Sequence, residues 1–246
     1  MPTHVAAGLS PHRLLPRLPW KPAAWLFDLD GTLVDTEPLF ERSESAWLAS
    51  YGISLDEELM HQLFGQSARG FFEIIGKRFP ESPLNDLGLE ERLEAKTRHY
   101  LSVAAGKVRT FPAMETLVRG LASRGLPLAI ASSSDHAIID FELETVGLAS
   151  LIPHRVSAVD VARGKPEPDV FLEAARRLGV DAKDCVVFED SLLGTRAAKA
   201  AGAFCLAFPA PGAKPERFAF ADFVLEGGPG ALRPEDIEGF LGLNGL

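Results

Sequence analysis

From Phe111 onward, short apolar runs alternate with longer segments whose apolar residues repeat at helical spacing. The first pattern is typical of buried strands and the second of amphipathic helices. We predict strands within the segments 126–131, 154–159, 185–188, 203–207 and 223–225, and helices over 114–124, 136–145, 170–178 and 193–201. Strands that alternate with helices indicate an α/β fold with a parallel sheet covered on both faces.

The stretch from residue 36 to residue 106 has helical periodicity and no convincing strand pattern. It follows the apolar run of residues 25–28, which ends in an aspartate. That run must join the sheet, because a lone buried strand would leave its backbone N–H and C=O groups unpaired. We therefore predict an all-helical insert after the first strand of the core.

These patterns divide the chain into a loose N-terminal extension over residues 1–22, a core formed by residues 23–36 and 108–246, and a helical insert over residues 37–107. The extension is rich in proline and lacks the apolar segment of a signal peptide. A targeting or tethering segment is the alternative interpretation of this extension.

The composition is that of a globular protein and narrows the range of partners. The chain has 246 residues, of which 46% are hydrophobic, and a formal net charge of -9. This charge argues against nucleic acid or an anionic membrane as a partner. Cys185 and Cys205 lie in apolar runs without metal-ligand spacing, so we expect buried free thiols and a reducing, cytoplasmic location.

Two aspartates follow the first predicted strand. Asp28 and Asp30 lie two positions apart, directly before Gly31, and side chains at that spacing point to the same face of a strand. Ligands bind at the carboxyl ends of strands in open α/β sheets, so this pair suggests an active site. An ordinary Asp-Gly turn is the alternative.

Polar clusters also lie near the ends of other predicted strands. Ser132 and Ser133 precede a helix, where hydroxyls and free amides can bind an anion or only cap the helix. Lys165 lies in a stiff Gly-Lys-Pro turn and either pairs with an anion or is a solvated surface lysine. Glu189 and Asp190 follow a further strand, where Asp190 could alternatively cap the next helix.

All of these clusters fall on one edge of a parallel sheet. The carboxylates there, those of Asp28, Asp30, Glu189 and Asp190, would repel one another unless a cation lies among them. Carboxylate oxygens without a histidine or thiolate cluster suit Mg2+, and Lys165 would add positive charge. A small anionic substrate is compatible with such a site.

The combination of motifs resembles the haloacid dehalogenase-like hydrolase superfamily. Its four signature motifs are matched, in order and spacing, by Asp28-Leu-Asp30-Gly-Thr32, Ser132, Lys165 within Gly-Lys-Pro-Glu-Pro-Asp, and Glu189-Asp190. Each motif is weak alone, whereas the combination is specific. The resemblance covers residues 23–225 and implies a Rossmann-like, doubly wound parallel sheet. The insert resembles the small helical cap of sugar-phosphate phosphatases and β-phosphoglucomutase.

The resemblance implies a role for each motif. Asp28 would attack phosphorus to form an aspartyl-phosphate, and Asp30 would protonate the leaving oxygen and later activate water. Mg2+ would be held by Asp28, Asp190 and the backbone carbonyl of Asp30. Glu189 would either bind the ion directly or contact its ligands without binding the ion. The phosphate would be bound and its charge balanced by Thr32, which holds the loop, Ser132, Ser133 and Lys165.

The acid at Asp30 argues against a dehalogenase, because a halide leaves without a proton. A mutase needs cations in its cap for a second phosphate. β-Phosphoglucomutase has a lysine and an arginine where this chain has Phe64 and Ala68, and a histidine in place of Phe40. We therefore expect a phosphatase for a small phosphorylated metabolite such as a sugar phosphate. Because Arg69 could supply such a cation, a phosphosugar mutase is the alternative. A module that only binds a phosphorylated ligand is the third hypothesis.

The candidate substrate contacts outside the core are Gly65, Ser67 and Arg69 in the insert and Glu37 near its start. Glu37 could accept hydrogen bonds from substrate hydroxyls. The alternative is that Gly65 ends one helix, Ser67 caps the next, and Glu37 is a first-turn acid facing the helix dipole. One chain is sufficient for this mechanism, so we expect a monomer.

Overall fold

The computed structural model describes residues 3–4, 15–63 and 66–246. The strands are β1 (Thr3–His4), β2 (Ala24–Phe27), β3 (Leu128–Ser132), β4 (His154–Ser157), β5 (Cys185–Glu189), β6 (Phe204–Ala207) and β7 (Phe223–Val224). The helices are α1 (Glu37–Ala49), α2 (Glu57–Leu63), α3 (Ala68–Arg78), α4 (Leu89–Ala104), α5 (Pro112–Ala122), α6 (His136–Thr145), α7 (Asp169–Leu178), α8 (Leu192–Ala200) and α9 (Pro234–Leu243). Each predicted strand and helix of the core is present.

The strands form one parallel sheet in the order β1-β7-β6-β5-β2-β3-β4. Strand β2 lies between β5 and β3, with Phe27 in register with Phe188 and Ile130. Every residue of β2, β3 and β5 is buried, which is why these strands are continuous apolar runs in the sequence. Because the strands are parallel, the segments that follow them begin at the same edge of the sheet.

Side chains of the sheet alternate between two apolar layers. Trp25 and Phe27 lie in the layer that includes residues of α5, α6 and α9. Leu26 and Val187 lie in the opposite layer, which includes residues of α7 and α8. The prediction of a parallel sheet with helices on both faces is therefore confirmed.

Helices α1 to α4 lie between β2 and β3 and share a smaller apolar cluster that includes Trp47, Phe72 and Ile75. Helix α4 also places Tyr100 and Ala104 in the layer formed by α5, α6 and α9, so it connects the insert to the core. This confirms the predicted helical insert. Its limits at residues 37 and 107 stay a prediction.

Residues 15–22 differ from the expected loose extension, because Leu15 and Leu18 are buried in the layer formed by α5, α6 and α9. The backbone N–H of Leu18 also donates to Asn244 Oδ1 at 2.6 Å. Of residues 1–14, only the backbone of Thr3–His4 is described, as an edge strand that pairs with β7.

Helix α9 was not predicted, although Pro234 in its first turn and the apolar spacing of Ile237, Phe240 and Leu241 are helix signals. The predicted buried free thiols, Cys185 and Cys205, are both found. None of the helices in the described parts of the chain combines the length and apolar character that a membrane crossing requires.

Candidate active site

The loop after β2 places its aspartates at the carboxyl edge of the sheet. The N–H of Asp28 donates to the carbonyl of Phe188 at 3.0 Å, which extends the pairing of β2 and β5 by one residue. The chain then turns at Gly31, whose φ is 74°. A Cβ at Gly31 would lie 2.3 Å from Asp190 Oδ2. Glycine is therefore required both by the backbone conformation and by the approach of Asp190.

Lys165 connects two of the acidic clusters. Its Nζ donates to Asp28 Oδ1 at 2.5 Å and to Glu189 Oε1 at 2.6 Å, and all three side chains are buried. Burial lowers the pKa of Lys165, but the negative charges of Asp28 and Glu189 more than offset this effect and raise it above its ordinary value. The lysine is therefore a charged group inside the site and not a solvated turn residue.

Glu189, the last residue of β5, and Asp190 are held by separate sets of hydrogen bonds. Glu189 Oε2 accepts from the N–H of Ser191 at 2.8 Å and from its hydroxyl at 2.9 Å. A Cβ at Gly194 in α8 would lie only 1.6 Å from Glu189 Oε1, so a side chain there would displace this carboxylate. Asp190 Oδ1 accepts from Thr32 Oγ1 at 3.1 Å. Thr32 thus contacts a predicted metal ligand, but Thr32 itself does not line the pocket.

The acidic groups are arranged as a cation site would require. Asp28, Glu189 and Asp190 can each place one oxygen within 4.8 Å of the others. Burial raises the pKa of Asp28 to about 8 against the opposing charge of Lys165, and the negative charges of Glu189 and Asp30 add to the rise. Burial and the same kind of repulsion raise the pKa of Asp190 well above its ordinary value. Three buried carboxylates that repel one another fit a hard divalent cation with oxygen ligands.

Asp30 lies in a different environment from Asp28. Its Oδ1 accepts from Thr36 Oγ1 at 2.7 Å, and its Oδ2 accepts from Ser134 Oγ at 2.7 Å. Burial raises the pKa of Asp30, and these two hydrogen bonds oppose the rise. A carboxyl group with a raised pKa can hold and release a proton nearer to neutral pH than an exposed aspartate can.

The serines at the end of β3 and directly after it divide into a buried residue and two that line the pocket. Ser132 is buried, and its Oγ accepts from the N–H of Ser134 at 3.0 Å. Ser133 and Ser134 line the pocket. The capping role belongs to Asp135, which accepts from the N–H of Ile138 at 3.0 Å. The helix cap is therefore Asp135, and anion binding by Ser132 and Ser133 stays a prediction.

A pocket of about 350 Å³ lies between the sheet edge and the insert. On the core side its lining includes Asp28, Asp30, Ser133, Lys165 and Asp190. On the insert side its lining includes Glu37, Phe40, Glu41, Glu44, Lys96 and Thr97. Burial, followed by the negative charge of Asp30, raises the pKa of Glu37 to about 8. The structure therefore brings Glu37 to the same pocket as the acidic groups of the core.

The other two described candidates of the insert, Ser67 and Arg69, do not line the pocket. Ser67 accepts from the N–H of Gly70 at 3.2 Å, so it caps α3, and it approaches the core loop at Gly164. Arg69 is exposed, and among the described residues it does not line the pocket. Gly65 lies outside the described residues.

Comparison with known proteins shows which family has this arrangement. Residues 25–208 match the family model of the haloacid dehalogenase-like hydrolases. The chain belongs to this family. The resemblance inferred from the motifs is confirmed, and the helical insert is the cap of a haloacid dehalogenase-like hydrolase.

Curated relatives and solved structures agree with this assignment. A bifunctional riboflavin kinase/FMN phosphatase of Arabidopsis thaliana is 32% identical over 207 residues, which are 81% of this chain and 52% of that protein, so the chain spans about half its length. Fructose-1-phosphate phosphatase YqaB of Escherichia coli (strain K12) is 34% identical over 182 residues, 73% of this chain and 93% of that protein. A variant of CbbY from Rhodobacter sphaeroides, solved with xylulose-(1,5)bisphosphate, has a TM-score of 0.76 at 28% identity, over 86% of this chain and 96% of that chain.

Sequence reasoning missed a buried acid behind the site of this hydrolase. Glu142 of α6 is fully buried, and its Oε1 accepts a hydrogen bond from the hydroxyl of Tyr100 in the cap. Its Oε2 is also buried, and among the described residues its carboxyl group interacts with that of Asp30. One signal was available: Glu142 interrupts the apolar stripe that Ile138, Ile139 and Leu143 form along α6.

Glu142→Gln is expected to stabilise the protein at pH 8 by about 1–3 kcal/mol, because an amide of the same shape removes a buried charge. Burial, together with the charge of Asp30, raises the pKa of Glu142 well above 4.5. The folded state therefore binds a proton more tightly than the unfolded state, and this carboxyl lowers stability as the pH rises above about 4.5.

Chemical unfolding at pH 5 and pH 8 tests this expectation. The advantage of Glu142→Gln over the wild type should be larger at pH 8 than at pH 5. Glu144→Gln, the same change at an exposed position of α6, is the control and should alter stability little at either pH. An equal effect of Glu142→Gln at the two pH values would contradict the raised pKa.

Proposed function

We propose that this chain is a Mg2+-dependent phosphatase that hydrolyses a small phosphomonoester, with a sugar phosphate as the expected substrate class, through an aspartyl-phosphate intermediate. The observation that carries the proposal is the buried contact of 2.5 Å between Lys165 Nζ and Asp28 Oδ1 at the base of the pocket. Asp30 lines the same pocket, where it could serve as the acid and base. The phosphatases among the relatives support the same reaction class.

The donor set supports a bound Mg2+. Asp28, Asp190 and the backbone carbonyl of Asp30 are the proposed ligands, and Glu189 completes the acidic set and anchors Lys165. When bound, Mg2+ would neutralise phosphoryl oxygens and reduce the repulsion between substrate and Asp28. Lys165 stays protonated because its pKa is raised, so its charge is available to the phosphoryl group.

The proposed reaction has two steps. In the first, an oxygen of Asp28 forms a bond to phosphorus while the bond between phosphorus and the ester oxygen breaks, and Asp30 gives its proton to that oxygen. In the second, Asp30 takes a proton from water, the water oxygen bonds to phosphorus, and the bond to Asp28 breaks. Phosphate is released, and Asp28 and Asp30 return to their starting states.

The phosphate-binding roles follow the positions of the side chains. Ser133 and Lys165 line the pocket and would contact the phosphoryl oxygens directly. Ser132 would act indirectly: its Oγ accepts from the N–H of Ser134 and so holds the backbone of the segment 132–134 in place. Thr32 would act through Asp190, to which it donates.

A phosphosugar mutase is the alternative, and its main support in the sequence was Arg69. That residue is exposed and does not belong to the described lining of the pocket. Because the proposed mechanism needs the residues of only one chain, we propose a monomer with residues 37–107 as its cap. The free thiols Cys185 and Cys205 support the cytoplasm as its location.

Purified protein should release phosphate from members of a broad phosphomonoester panel in the presence of Mg2+. Chelation with EDTA should stop the release, and added Mg2+ should restore it. The products should be analysed for free phosphate and for isomerised sugar phosphate. No release from any member would contradict the proposal. Isomerisation without net phosphate release would favour the mutase, and binding without either reaction would favour a binding module.

A further inference from the structure

The cap side of the pocket is acidic. Helix α1 contributes Glu37, Glu41 and Glu44, whose spacing places them along one face of the helix. Lys96 of α4 is the only basic side chain that the described residues of the cap contribute to the pocket lining. We call the surface formed by Glu37, Glu41, Glu44 and Lys96 the cap wall. Any substrate group that reaches this wall meets three carboxyl groups and one ammonium group.

The positive charge of Lys96 is already paired. Its Nζ lies 2.8 Å from Glu44 Oε1, and the two side chains are only 13% and 17% exposed. The ammonium group also lies 4.7 Å from the ring centroid of Phe71 and 5.5 Å from that of Phe40. A pair so largely shielded from water interacts more strongly than an exposed surface pair. The two rings further restrict where the ammonium group can move.

We propose that the Glu44–Lys96 pair sets substrate selectivity, so that the cap wall accepts the uncharged, hydroxyl-bearing part of a phosphate monoester and disfavours a second phosphate. This inference rests on the proposed phosphatase function. A second phosphate at this wall would either share Lys96 with Glu44, and so lie beside the Glu44 carboxylate, or separate the pair and leave that shielded carboxylate unpaired. Hydroxyl groups meet no such cost, because they can donate hydrogen bonds to Glu41 and Glu44 while the pair stays closed.

The test compares fructose 1-phosphate with fructose 1,6-bisphosphate as competitive inhibitors of p-nitrophenyl phosphate hydrolysis, at saturating Mg2+. The measured quantity is the ratio of the two inhibition constants. Glu44→Gln frees Lys96, so the bisphosphate should bind about tenfold more tightly relative to the monophosphate than it does to the wild type. The double variant Glu44→Gln/Lys96→Gln should lose this gain, because the freed charge is then absent.

Lys96→Gln alone provides a second variant with an effect in the opposite direction. It leaves Glu44 unpaired at the wall, so the bisphosphate should bind about tenfold more weakly relative to the monophosphate. Glu73→Gln makes the same chemical change as Glu44→Gln at an exposed position of α3 outside the pocket lining, and its ratio should equal that of the wild type.

The outcomes separate this inference from the function on which it rests. Absence of p-nitrophenyl phosphate hydrolysis in the wild type would overturn the proposed function and the selectivity inference together. Hydrolysis with an unchanged ratio in both single variants would overturn the selectivity inference alone. A gain that persists in the double variant would also overturn it, since Lys96 would then not be its cause.

Discussion

Asp28→Asn is expected to lower kcat by about 10⁴-fold or more, because the amide cannot form the bond to phosphorus that the carboxylate forms. The rest of the pocket would remain: Lys165 would still be anchored by Glu189, and Ser133 would still line the phosphate side. We therefore expect the variant to bind substrate and fail to turn it over. Mass spectrometry of the trapped wild type should find one added phosphoryl group, and that of the variant should find none.

The loss of activity should not reflect unfolding. Burial, with the charges of Glu189 and Asp30, raises the pKa of Asp28 to about 8, so the folded state binds this proton more tightly than the unfolded state. The carboxyl therefore contributes less to stability as the pH rises from about 4 to 8. An uncharged asparagine removes that dependence, and the Tm of the metal-free variant at pH 7 should equal or exceed that of the wild type.

Asp35→Asn is the matched control for this experiment. Asp35 is exposed and lies in the same loop, a short distance along the chain from the site. Its variant should keep wild-type kcat and Tm. Normal turnover by Asp28→Asn would exclude covalent catalysis through Asp28, whereas a large fall in its Tm would attribute the lost activity to the fold.

The core of the site could be predicted because it depends on local signals and on one rule of topology. Asp28, Ser132 and Glu189 each lie at or directly after the end of an apolar run, and such runs become buried strands of the sheet. Once the strands are parallel, their carboxyl ends meet. The contacts of Lys165 with Asp28 and Glu189 are what this rule leads one to expect, although the residues lie far apart in the sequence.

The cap wall could not be predicted in the same way. Glu44 and Lys96 each look like an ordinary charged residue on a helix surface, and their pairing depends on how α1 packs against α4. Ser67 and Arg69 were chosen from a local motif, and the local role of Ser67 as a helix cap is the one that the structure has. Glu142 was missed for a related reason: its place in the apolar stripe of α6 indicates burial, but its contact with Tyr100 depends on how α6 packs against the cap.

Asp30→Asn is expected to affect the two steps of the reaction differently, depending on whether the leaving group of the substrate needs a proton. A sugar phosphate loses an alkoxide-like oxygen that needs a proton, so formation of the aspartyl-phosphate should slow by about 10²–10⁴-fold. Nitrophenolate leaves without a proton, so the same step with p-nitrophenyl phosphate should change little. The second step needs Asp30 to activate water with either substrate, and it should slow by about 10²–10⁴-fold in both cases.

Pre-steady-state kinetics with substrate in excess over enzyme would detect this difference. Asp30→Asn should release a rapid burst of nitrophenol, equal in amount to the enzyme, followed by very slow turnover. With a sugar phosphate the burst should be absent. Asparagine keeps an acceptor oxygen for Thr36 or Ser134, which both donate to Asp30, so the loop should keep its shape and Asp28 should remain in position to attack. A burst with both substrates would mean that another group protonates the leaving oxygen, and equal slowing of the first step with both would mean that Asp30 positions Asp28 instead of transferring protons.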